Sequence, residues 1–499
     1  MTEKHTDKRP PKGQKNSNTG RSDNRRPHGE RPPYKGRDDK RGGSRGNTRE
    51  GRTDTRPPQK DIPLTSAQLT RQLAASAVRN VKTDGLPLET VLSSLPGYND
   101  LEARDRAFVR LIAATTFRRM GQIKAVYKPL IRKAPPAFIQ ATLETAAAQI
   151  IFLGTPAHAA VGETVGMLKA NKTTRGFANL ANAVLRKVVE EGPKLAGSEA
   201  PRANIPGWIR GSWEREYGRA AVRKTSLQLI KDPPLDLTLK DISEENTQSW
   251  ADKLGGKVIL PGTVRLDSIG NVAALEGYDA GDWWAQDVAA SLPVRIISDI
   301  IGDIKGKSVL DLCAAPGGKT LQLAALGANV TAVDKSEGRL ERLKENLNRT
   351  NLSADIICED ALDWNTDKTF DVVLLDAPCT ATGTFRRHPD VLYNRTPKTL
   401  SQLVRLQDKL LPKAASFLKP GGILLFATCS MQPEEGDPRI EAFLKTLPNF
   451  SLISSIISPL LIAGQALSEG PTLRTLPFYG DDLGGMDGFY IAALQSPSE

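Results

Sequence analysis

The most informative stretch of the chain is a strand–turn–helix pattern with the sequence Val309-Leu310-Asp311-Leu312-Cys313-Ala314-Ala315-Pro316-Gly317-Gly318-Lys319-Thr320. A phosphate-binding P-loop is one interpretation, because Gly318-Lys319-Thr320 fits the end of that motif. The position of the first P-loop glycine, however, is Cys313, where the backbone lacks the close approach to phosphate that glycine allows. An adenosyl-cofactor site in a Rossmann-like fold is therefore favoured, with Gly317 and Gly318 bringing the backbone close to the ligand.

Around this stretch, short apolar strands alternate with helical segments. Strands are predicted over residues 308–312, 329–333, 354–358, 372–375 and 423–427. Helices are predicted near residues 318–326 and 400–418, and a third carries Leu340, Leu343 and Leu347 on one stripe. This alternation predicts an α/β domain with a doubly wound parallel sheet, whose ligands bind beyond the carboxyl ends of the strands.

Aspartates follow three successive strands of this predicted sheet. Asp334 ends the second strand, where an acid accepts hydrogen bonds from ribose hydroxyls. Asp360 follows the third strand, within reach of an adenine edge, and Asp376 ends the fourth. Any one of them alone is explained as a helix cap or a turn residue. Together with the glycine turn they predict one polar crevice for the cofactor.

The chain has four cysteines, Cys313, Cys358, Cys379 and Cys429. They form no C-x-x-C pair and no cluster with the few histidines, so neither a metal site nor a disulfide framework is expected. Cys379 follows the fourth strand in Asp376-Ala377-Pro378-Cys379, and Cys429 follows the fifth in Thr428-Cys429-Ser430. A buried structural thiol explains either one alone. Two thiols at adjacent strand ends beside a cofactor crevice favour chemistry.

The positive charge of the chain is concentrated at its N-terminus. Residues 1–60 contain 18 Lys+Arg and 8 Asp+Glu, which leaves 50 basic and 49 acidic residues in the rest of the chain. This segment has almost no large aliphatic residue, so we predict a disordered basic tail that contacts RNA phosphates or only aids solubility. No apolar run of about 18 residues and no secretory signal are present, so a cytoplasmic protein without membrane contact is expected.

The remaining segments divide by their patterns. Residues 61–195 are predicted to form a helical domain that starts with a capping box at Thr65 and Gln68, and Asn99-Asp100 is predicted to open a further helix. The helical pattern itself ends near residue 190, so a linker is predicted to begin near residue 191. The rest of the linker and a small α+β subdomain are predicted over residues 196–290. The α/β domain is predicted over residues 291–499. Arginines such as Arg118 and Arg119 are expected on the helical surface.

Several of these segments resemble a known family. The stretch 313–320, Asp376–Cys379 with Arg386-Arg387-His388-Pro389-Asp390, and Thr428–Ser430 resemble the RNA (cytosine-5) methyltransferases. Residues 177–187 resemble a helical segment of a NusB-like domain. With Asp487-Gly488-Phe489-Tyr490, the combination resembles the bacterial 16S ribosomal RNA methyltransferase B family over about residues 64–494. The resemblance implies a class I methyltransferase domain behind an all-α NusB-like RNA-binding domain.

The resemblance also implies the roles of the site residues. It makes Cys429 the nucleophile and Cys379 the residue that assists product release, an order that the residues alone leave open. It implies S-adenosylmethionine as cofactor and contacts to it from Cys313, Ala314, Ala315, Pro316, Gly317, Gly318, Lys319, Asp334, Asp360 and Asp376. Cytosine C5 is a poor nucleophile, and thiolate addition to C6 activates it. Asp376 is expected to assist that addition at N3 of the base.

The chain departs from the family pattern at three positions, with Thr380 in place of serine, Ala381 in place of glycine and Gly436 in place of asparagine. The expected partner is 16S ribosomal RNA, bound by a monomer without a metal ion. Two alternatives stay open: the same chemistry on transfer RNA or another ribosomal cytosine, and a non-catalytic RNA-binding assembly factor. For the loop at Arg386, Arg387 and His388, contact with RNA phosphate and a purely structural role are both retained.

Overall fold

The computed structural model describes residues 62–198, 200–267, 270–454, 461–462, 465–466 and 471–498. The basic tail predicted over residues 1–60 lies outside the described residues. Within the described part of the chain, no helix has both the length and the apolar character needed to cross a membrane.

The N-terminal part of the described chain is helical. Its α-helices are α1 Ser66–Asp84, α2 Leu88–Ser94, α3 Ala103–Arg118, α4 Met120–Tyr127, α5 Ala137–Phe152, α6 Ala157–Ala170 and α7 Ala178–Ser198. The predicted capping box is present, because the Thr65 hydroxyl accepts from the Gln68 N–H and the Gln68 side chain accepts from the Thr65 N–H. Leu73, Ala77 and Val81 form the buried face of α1, as their spacing predicted.

Two details of this helical part differ from the prediction. Helix α3 begins at Ala103 rather than at Asn99-Asp100. Leu101 is buried in the preceding turn, and the Arg106 side chain donates to the carbonyls of Asn99 and Leu101, which holds this segment outside the helix. The linker predicted from residue 191 is wrong for residues 191–198, which complete α7 because Gly192 and Ala196 are buried within the helical core.

A small α+β segment follows the helices. Its elements are α8 Gly207–Glu216, α9 Gly218–Leu229, β1 Leu235–Leu239, α10 Glu244–Leu254, β2 Lys257–Leu260, β3 Thr263–Leu266 and β4 Trp283–Ala285. The four strands form an antiparallel sheet in the order β2-β3-β1-β4. Trp213 on α8 and Trp283 on β4 are fully buried, so both indoles are part of the core.

The C-terminal part is a helix-covered sheet. Its helices are α11 Val288–Ile301, α12 Gly318–Ala325, α13 Glu337–Thr350, α14 Pro397–Ala415 and α15 Asp437–Thr446. Its strands are β5 Ser308–Leu312, β6 Asn329–Asp334, β7 Asp355–Cys358, β8 Phe370–Asp376, β9 Leu418–Thr428, β10 Ser451–Leu452, β13 Thr472–Thr475 and β14 Phe489–Gln495, and a separate hairpin pairs β11 Leu461–Ile462 with β12 Gln465–Ala466.

The strand order of the large sheet is β10-β14-β9-β8-β5-β6-β7, with β13 also paired to β14. Strands β5 to β9 are parallel, which confirms the five predicted strands and the Rossmann-like fold. The sheet is nevertheless mixed rather than wholly parallel, because β14 pairs antiparallel with β9. Phe489 and Ile491 of β14 are buried in the core, so this strand covers an edge of β9 that would otherwise be open.

The N-terminal helices brace the loop between β8 and α14. The backbone N–H of Leu88, at the start of α2, donates to Asp390 Oδ2 at 2.9 Å. The rings of Phe117 on α3 and Tyr393 lie 5.7 Å apart. Because Cys379 belongs to the same loop, the helical part contributes to the placement of that thiol.

Candidate active site

The predicted cofactor loop joins β5 to α12 at the carboxyl edge of the parallel strands. Gly317 has φ +105°, and a Cβ built on it would lie 2.2 Å from Leu343 Cδ1 of α13. A side chain at this position would therefore be strained and would collide with the Leu343 side chain. Of residues 313–319, only Pro316 is exposed, whereas Ala314, Ala315 and Lys319 are buried. The loop is thus pressed between the sheet and α13 with a fixed backbone path.

The predicted aspartates lie at the ends of neighbouring strands, as parallel pairing requires. Asp334 accepts from the Ala315 N–H at 3.2 Å and so binds the cofactor loop directly. It also accepts from Arg339 Nη2 at 2.8 Å, although the arginine side chain is about half exposed (51%). Asp360 is partly exposed and lies 3.5 Å from Lys335 Nζ. The sheet order β8-β5-β6-β7 therefore brings Asp376, the glycine loop, Asp334 and Asp360 to one edge.

Lys319 connects the cofactor loop to the end of β8. Its Nζ donates to Asp376 Oδ2 at 2.7 Å and lies 5.1 Å from the centre of the Phe489 ring. Burial by itself would lower the pKa of Lys319, but Asp376, and to a smaller degree Cys429, raise it above its ordinary value. Lys319 is therefore held as a cation between Asp376 and Cys429.

The two cysteines of the predicted pair are in contact. Cys379 follows β8 and Cys429 follows β9, and these strands are parallel neighbours. The two Sγ atoms lie 3.5 Å apart, within hydrogen-bond distance for sulfur. The hydrogen bond to Cys429 and burial raise the pKa of Cys379 well above its ordinary value. Cys379 therefore stays a thiol near neutral pH.

The other two cysteines are not part of this pair. Cys358 is exposed at the end of β7. Burial, followed by the nearby charges of Asp334 and Asp376, raises the pKa of Cys313 and keeps it a thiol. No cluster of three or more His, Cys, Asp or Glu side chains suited to a metal ion occurs among the residues whose positions are described.

Two buried acids near the site were not predicted. Asp311 on β5 accepts from the Thr320 hydroxyl at 2.6 Å, while its Oδ1 has no hydrogen-bond partner. Burial raises the pKa of Asp311 to about 7. Glu435 is fully buried beneath the two cysteine loops. Asp311 lies within the quoted motif and Glu435 lies six residues after Cys429, but sequence position alone does not show whether an acid is buried.

The arginine-rich loop is anchored inside the protein. Arg386 is 1% exposed and lies 3.7 Å from carboxylate oxygens of both Asp287 and Asp487. Arg387 Nη2 donates to Asp287 Oδ2 at 2.8 Å and Nη1 donates to the Pro234 carbonyl. These contacts support the structural role rather than phosphate contact. Likewise, Arg118 is not a surface arginine, because its Nη1 donates to the carbonyls of residues 229 and 231.

Comparison with known protein families gives matches to both parts of the chain. The family described as 16S rRNA methyltransferase RsmB/F matches residues 302–495, and the NusB family matches residues 68–190. Ribosomal RNA small subunit methyltransferase B of Cronobacter sakazakii is 33% identical over 448 residues, covering 85% of this chain and 98% of the relative. The protein of the same name from Pseudomonas putida is 35% identical over 432 residues, covering 81% and 93%.

Solved structures share the fold. The crystal structure of PH0851 superposes with a TM-score of 0.65 and 23% identity, covering 88% of this chain and 100% of that chain. NSun6 from Pyrococcus horikoshii, crystallised with SFG, has a TM-score of 0.50 and 19% identity, covering 59% of this chain and 98% of that chain. At these identities the similarity demonstrates a common architecture.

Proposed function

We propose, since the chain belongs to the ribosomal RNA small subunit methyltransferase B family, that it forms 5-methylcytosine in 16S ribosomal RNA by covalent catalysis. Membership in the family makes it an S-adenosylmethionine-dependent RNA methyltransferase. The observation that carries the finer proposal is the contact between Cys379 and Cys429 at the ends of adjacent parallel strands. A methyl acceptor that is already a good nucleophile needs no thiol, whereas cytosine C5 does.

The residues at the edge of the sheet fit S-adenosylmethionine. The carboxylate of Asp334 matches the ribose hydroxyls, and that of Asp360 matches the adenine amine. Lys319 and Asp376 match the carboxylate and the ammonium group of the methionine part. The backbone of residues 313–318 lines the same edge. When bound, S-adenosylmethionine supplies the electrophilic methyl group that C5 takes up. All of these residues stand as proposed contacts.

The cysteine pair supports the following sequence of steps. Cys429 adds as a thiolate to C6, and the electron pair of the C5=C6 bond moves toward C5 and the ring. A proton taken up from solvent and held between N3 and Asp376 offsets the negative charge of the ring, and it returns to solvent when the thiolate leaves; Lys319 engages only Oδ2 of that aspartate. After methylation, the C5 proton leaves to solvent, the C5=C6 bond re-forms and Cys429 departs as a thiolate. Cys379, 3.5 Å away, donates its S–H to the departing sulfur.

Three variants test this assignment. Cys429→Ala should give neither product nor covalent adduct with 16S RNA, because no sulfur attacks C6. Cys379→Ala should accumulate a protein–RNA adduct that survives denaturing gel electrophoresis, because the departing thiolate has lost its donor. Cys358→Ala is the matched control, since Cys358 is exposed at the end of β7 and should leave methylation unchanged. Methylation by Cys429→Ala would refute the mechanism.

The substrate needs a separate measurement. Bisulfite sequencing of RNA from a deletion strain should show one unmethylated cytosine in 16S RNA, restored by the wild-type gene. Loss confined to transfer RNA would overturn the 16S assignment. Absence of S-adenosylmethionine binding in calorimetry would instead favour a non-catalytic assembly factor.

We also propose a monomer that acts in the cytoplasm. The relatives named above are bacterial, and bacterial ribosomal RNA is modified in the cytoplasm. Both cysteines and all of the proposed cofactor contacts belong to one chain, so the site needs no second copy. Sedimentation at micromolar concentration should give the mass of one chain, and a dimer would contradict this part of the proposal.

A further inference from the structure

Glu435 occupies the space beneath the two cysteine loops. It lies in the turn after β9, and its side chain is completely buried. Its carboxylate accepts hydrogen bonds from the backbone N–H of Thr380 at 2.9 Å, from the hydroxyls of Thr380 and Ser430, and from Gln407 Nε2 at 3.1 Å. Burial raises the pKa of Glu435 above its ordinary value, and the hydrogen bonds from Ser430, Thr380 and Gln407 oppose that shift, because donors facing the oxygens favour the ionised carboxylate.

The residues that Glu435 holds are the immediate successors of the two cysteines. Thr380 follows Cys379, and Ser430 follows Cys429. One carboxylate therefore binds both loops, in each case at the residue directly after the cysteine. The hydroxyl oxygens of Thr380 and Ser430 lie only 3.0 Å apart, so the two loops meet at this carboxylate.

Cations secure the same two residues from the other side. Arg395 Nε donates to the Thr380 carbonyl at 3.1 Å, and Arg474 Nη1 donates to the Ser430 carbonyl. Both guanidinium groups are thus directed at backbone oxygens. In the hydrogen bonds of the described residues, the carboxylate of Glu435 receives only neutral donors, so no direct cation partner neutralises its charge.

We propose that Glu435 is a positioning residue of the methyl-transfer site, which holds the two sulfur atoms in contact and makes Cys379 the member of the pair that carries the proton. The inference rests on the proposed function only in treating these two cysteines as the reacting pair. Glu435 is separated from the base by the cysteine loops and acts through them.

The charge of Glu435 adds to the effects that keep Cys379 protonated. The hydrogen bond to Cys429 and burial raise the pKa of Cys379, the charges of Cys429 and Glu435 add to this effect, and the Ala381 N–H opposes it. On the other side of the pair, the positive charge of Lys319 interacts with Cys429. The remaining charged groups near the pair have other partners. Asp376 accepts from Lys319, Arg395 donates to the Thr380 carbonyl, and Arg474 donates to the Ser430 carbonyl. A negative charge beside Cys379 opposes its ionisation, whereas the positive charge of Lys319 lies on the side of Cys429.

Thiol alkylation of the full-length protein tests the inference without RNA or cofactor. Iodoacetamide reacts with thiolates, so initial rates from pH 6 to 10, resolved by peptide mass spectrometry, report on each cysteine separately. In the wild type, Cys429 should react faster than Cys379 at pH 7.5. In Glu435→Gln, the midpoint for Cys379 should fall by about one pH unit, which makes its reaction about tenfold faster below the midpoint. Exposed Cys358 is the internal reference.

Matched controls separate charge from structural damage. Glu434→Gln removes the same charge from the neighbouring exposed position and should leave the Cys379 midpoint unchanged. A purely structural role for Glu435 predicts faster alkylation of both cysteines with unchanged midpoints. That result, or an equal shift in Glu434→Gln, would overturn the inference.

A second pair of variants applies if Glu435→Gln does not fold. Thr380→Val removes one donor to the carboxylate, which favours its neutral form and weakens the negative charge beside Cys379. The alkylation midpoint of Cys379 should therefore fall, by less than in Glu435→Gln. Thr380→Ser retains the hydroxyl and should behave as the wild type does. An unchanged midpoint in Thr380→Val would count against the inference. Because alkylation is measured on the free protein, it stands apart from the adduct test: a shifted midpoint without any RNA adduct would reject the proposed function and leave the role of Glu435 intact.

Discussion

Replacement of Asp311 by asparagine should stabilise β5 more strongly at pH 8 than at pH 5. Burial raises the pKa of Asp311 to about 7 from the ordinary 3.8, the Thr320 hydrogen bond opposes that shift, and Asp376 adds to it. At pH 5 the folded protein therefore holds a neutral carboxyl group. At pH 8 it holds a buried negative charge, and one of the two carboxylate oxygens has no hydrogen-bond partner. Asparagine carries no charge at this position.

The magnitude follows from proton linkage. The pKa of Asp311 is higher in the folded than in the unfolded state, so the folded state binds the extra proton between about pH 4 and pH 7 and loses stability as the pH rises through that window. A difference of about 3 pKa units at about 1.4 kcal/mol each sets an upper bound of about 4 kcal/mol. Asparagine at this position should remove that pH dependence.

Hydrogen–deuterium exchange of the peptide that covers β5 measures this effect locally. Comparing variant and wild type at the same pH cancels the intrinsic dependence of exchange on pH. The ratio of protection, variant to wild type, should rise at least tenfold from pH 5 to pH 8.

Asp371 on β8 is the matched control with the opposite sign. Despite some burial, hydrogen bonds from Lys419 and Ser308 lower its pKa to about 2. Its stabilising contribution is therefore present at both pH values, and Asp371→Asn should weaken protection at both. Equal or lower protection of Asp311→Asn relative to wild type at pH 8 would refute the reasoning.

Three further predictions concern the buried ion pairs, the cofactor loop and the tail. Arg386→Met should destabilise the protein by about 3–5 kcal/mol, because two buried carboxylates lose a counter-charge, and thermal unfolding should show a lower Tm; a Tm within one degree of wild type would contradict this. Gly317→Ala should abolish S-adenosylmethionine binding in calorimetry, because the residue has a positive φ and its added Cβ would collide with Leu343. Gly338→Ala is the control and should bind as the wild type does, because its added Cβ meets no atom within 4 Å. Deletion of residues 1–60, which removes 18 basic residues, should flatten the salt dependence of RNA affinity; an unchanged slope would leave the tail as a solubilising extension.

The sequence was most informative where the signal is local. The strands that precede Asp334, Asp360, Asp376 and Cys429 are short apolar runs, and the polar residue that follows each run is visible without knowledge of any partner. Parallel pairing then brings these ends to one edge, which the sheet order confirms. The capping box at Thr65 succeeded for the same reason, because both of its hydrogen bonds lie within four residues.

What the sequence left open concerned contacts between distant segments. The antiparallel position of β14 depends on its pairing with β9, about 70 residues earlier. Arg386 and Arg387 form a basic pair in the sequence, but their partners Asp287 and Asp487 are about 100 residues away on either side. A charged side chain has the same letter whether it is solvated or paired in the core.

By itself, the sequence determined the α/β alternation, the polar strand ends and the presence of two thiols beside the expected crevice. Tertiary structure decided that the two sulfur atoms are in contact, that Asp311 and Glu435 are buried, and that Cys379 has a raised pKa. Periodicity and strand ends are properties of consecutive residues, whereas burial and the charge next to a thiol depend on segments that meet only when the chain has folded.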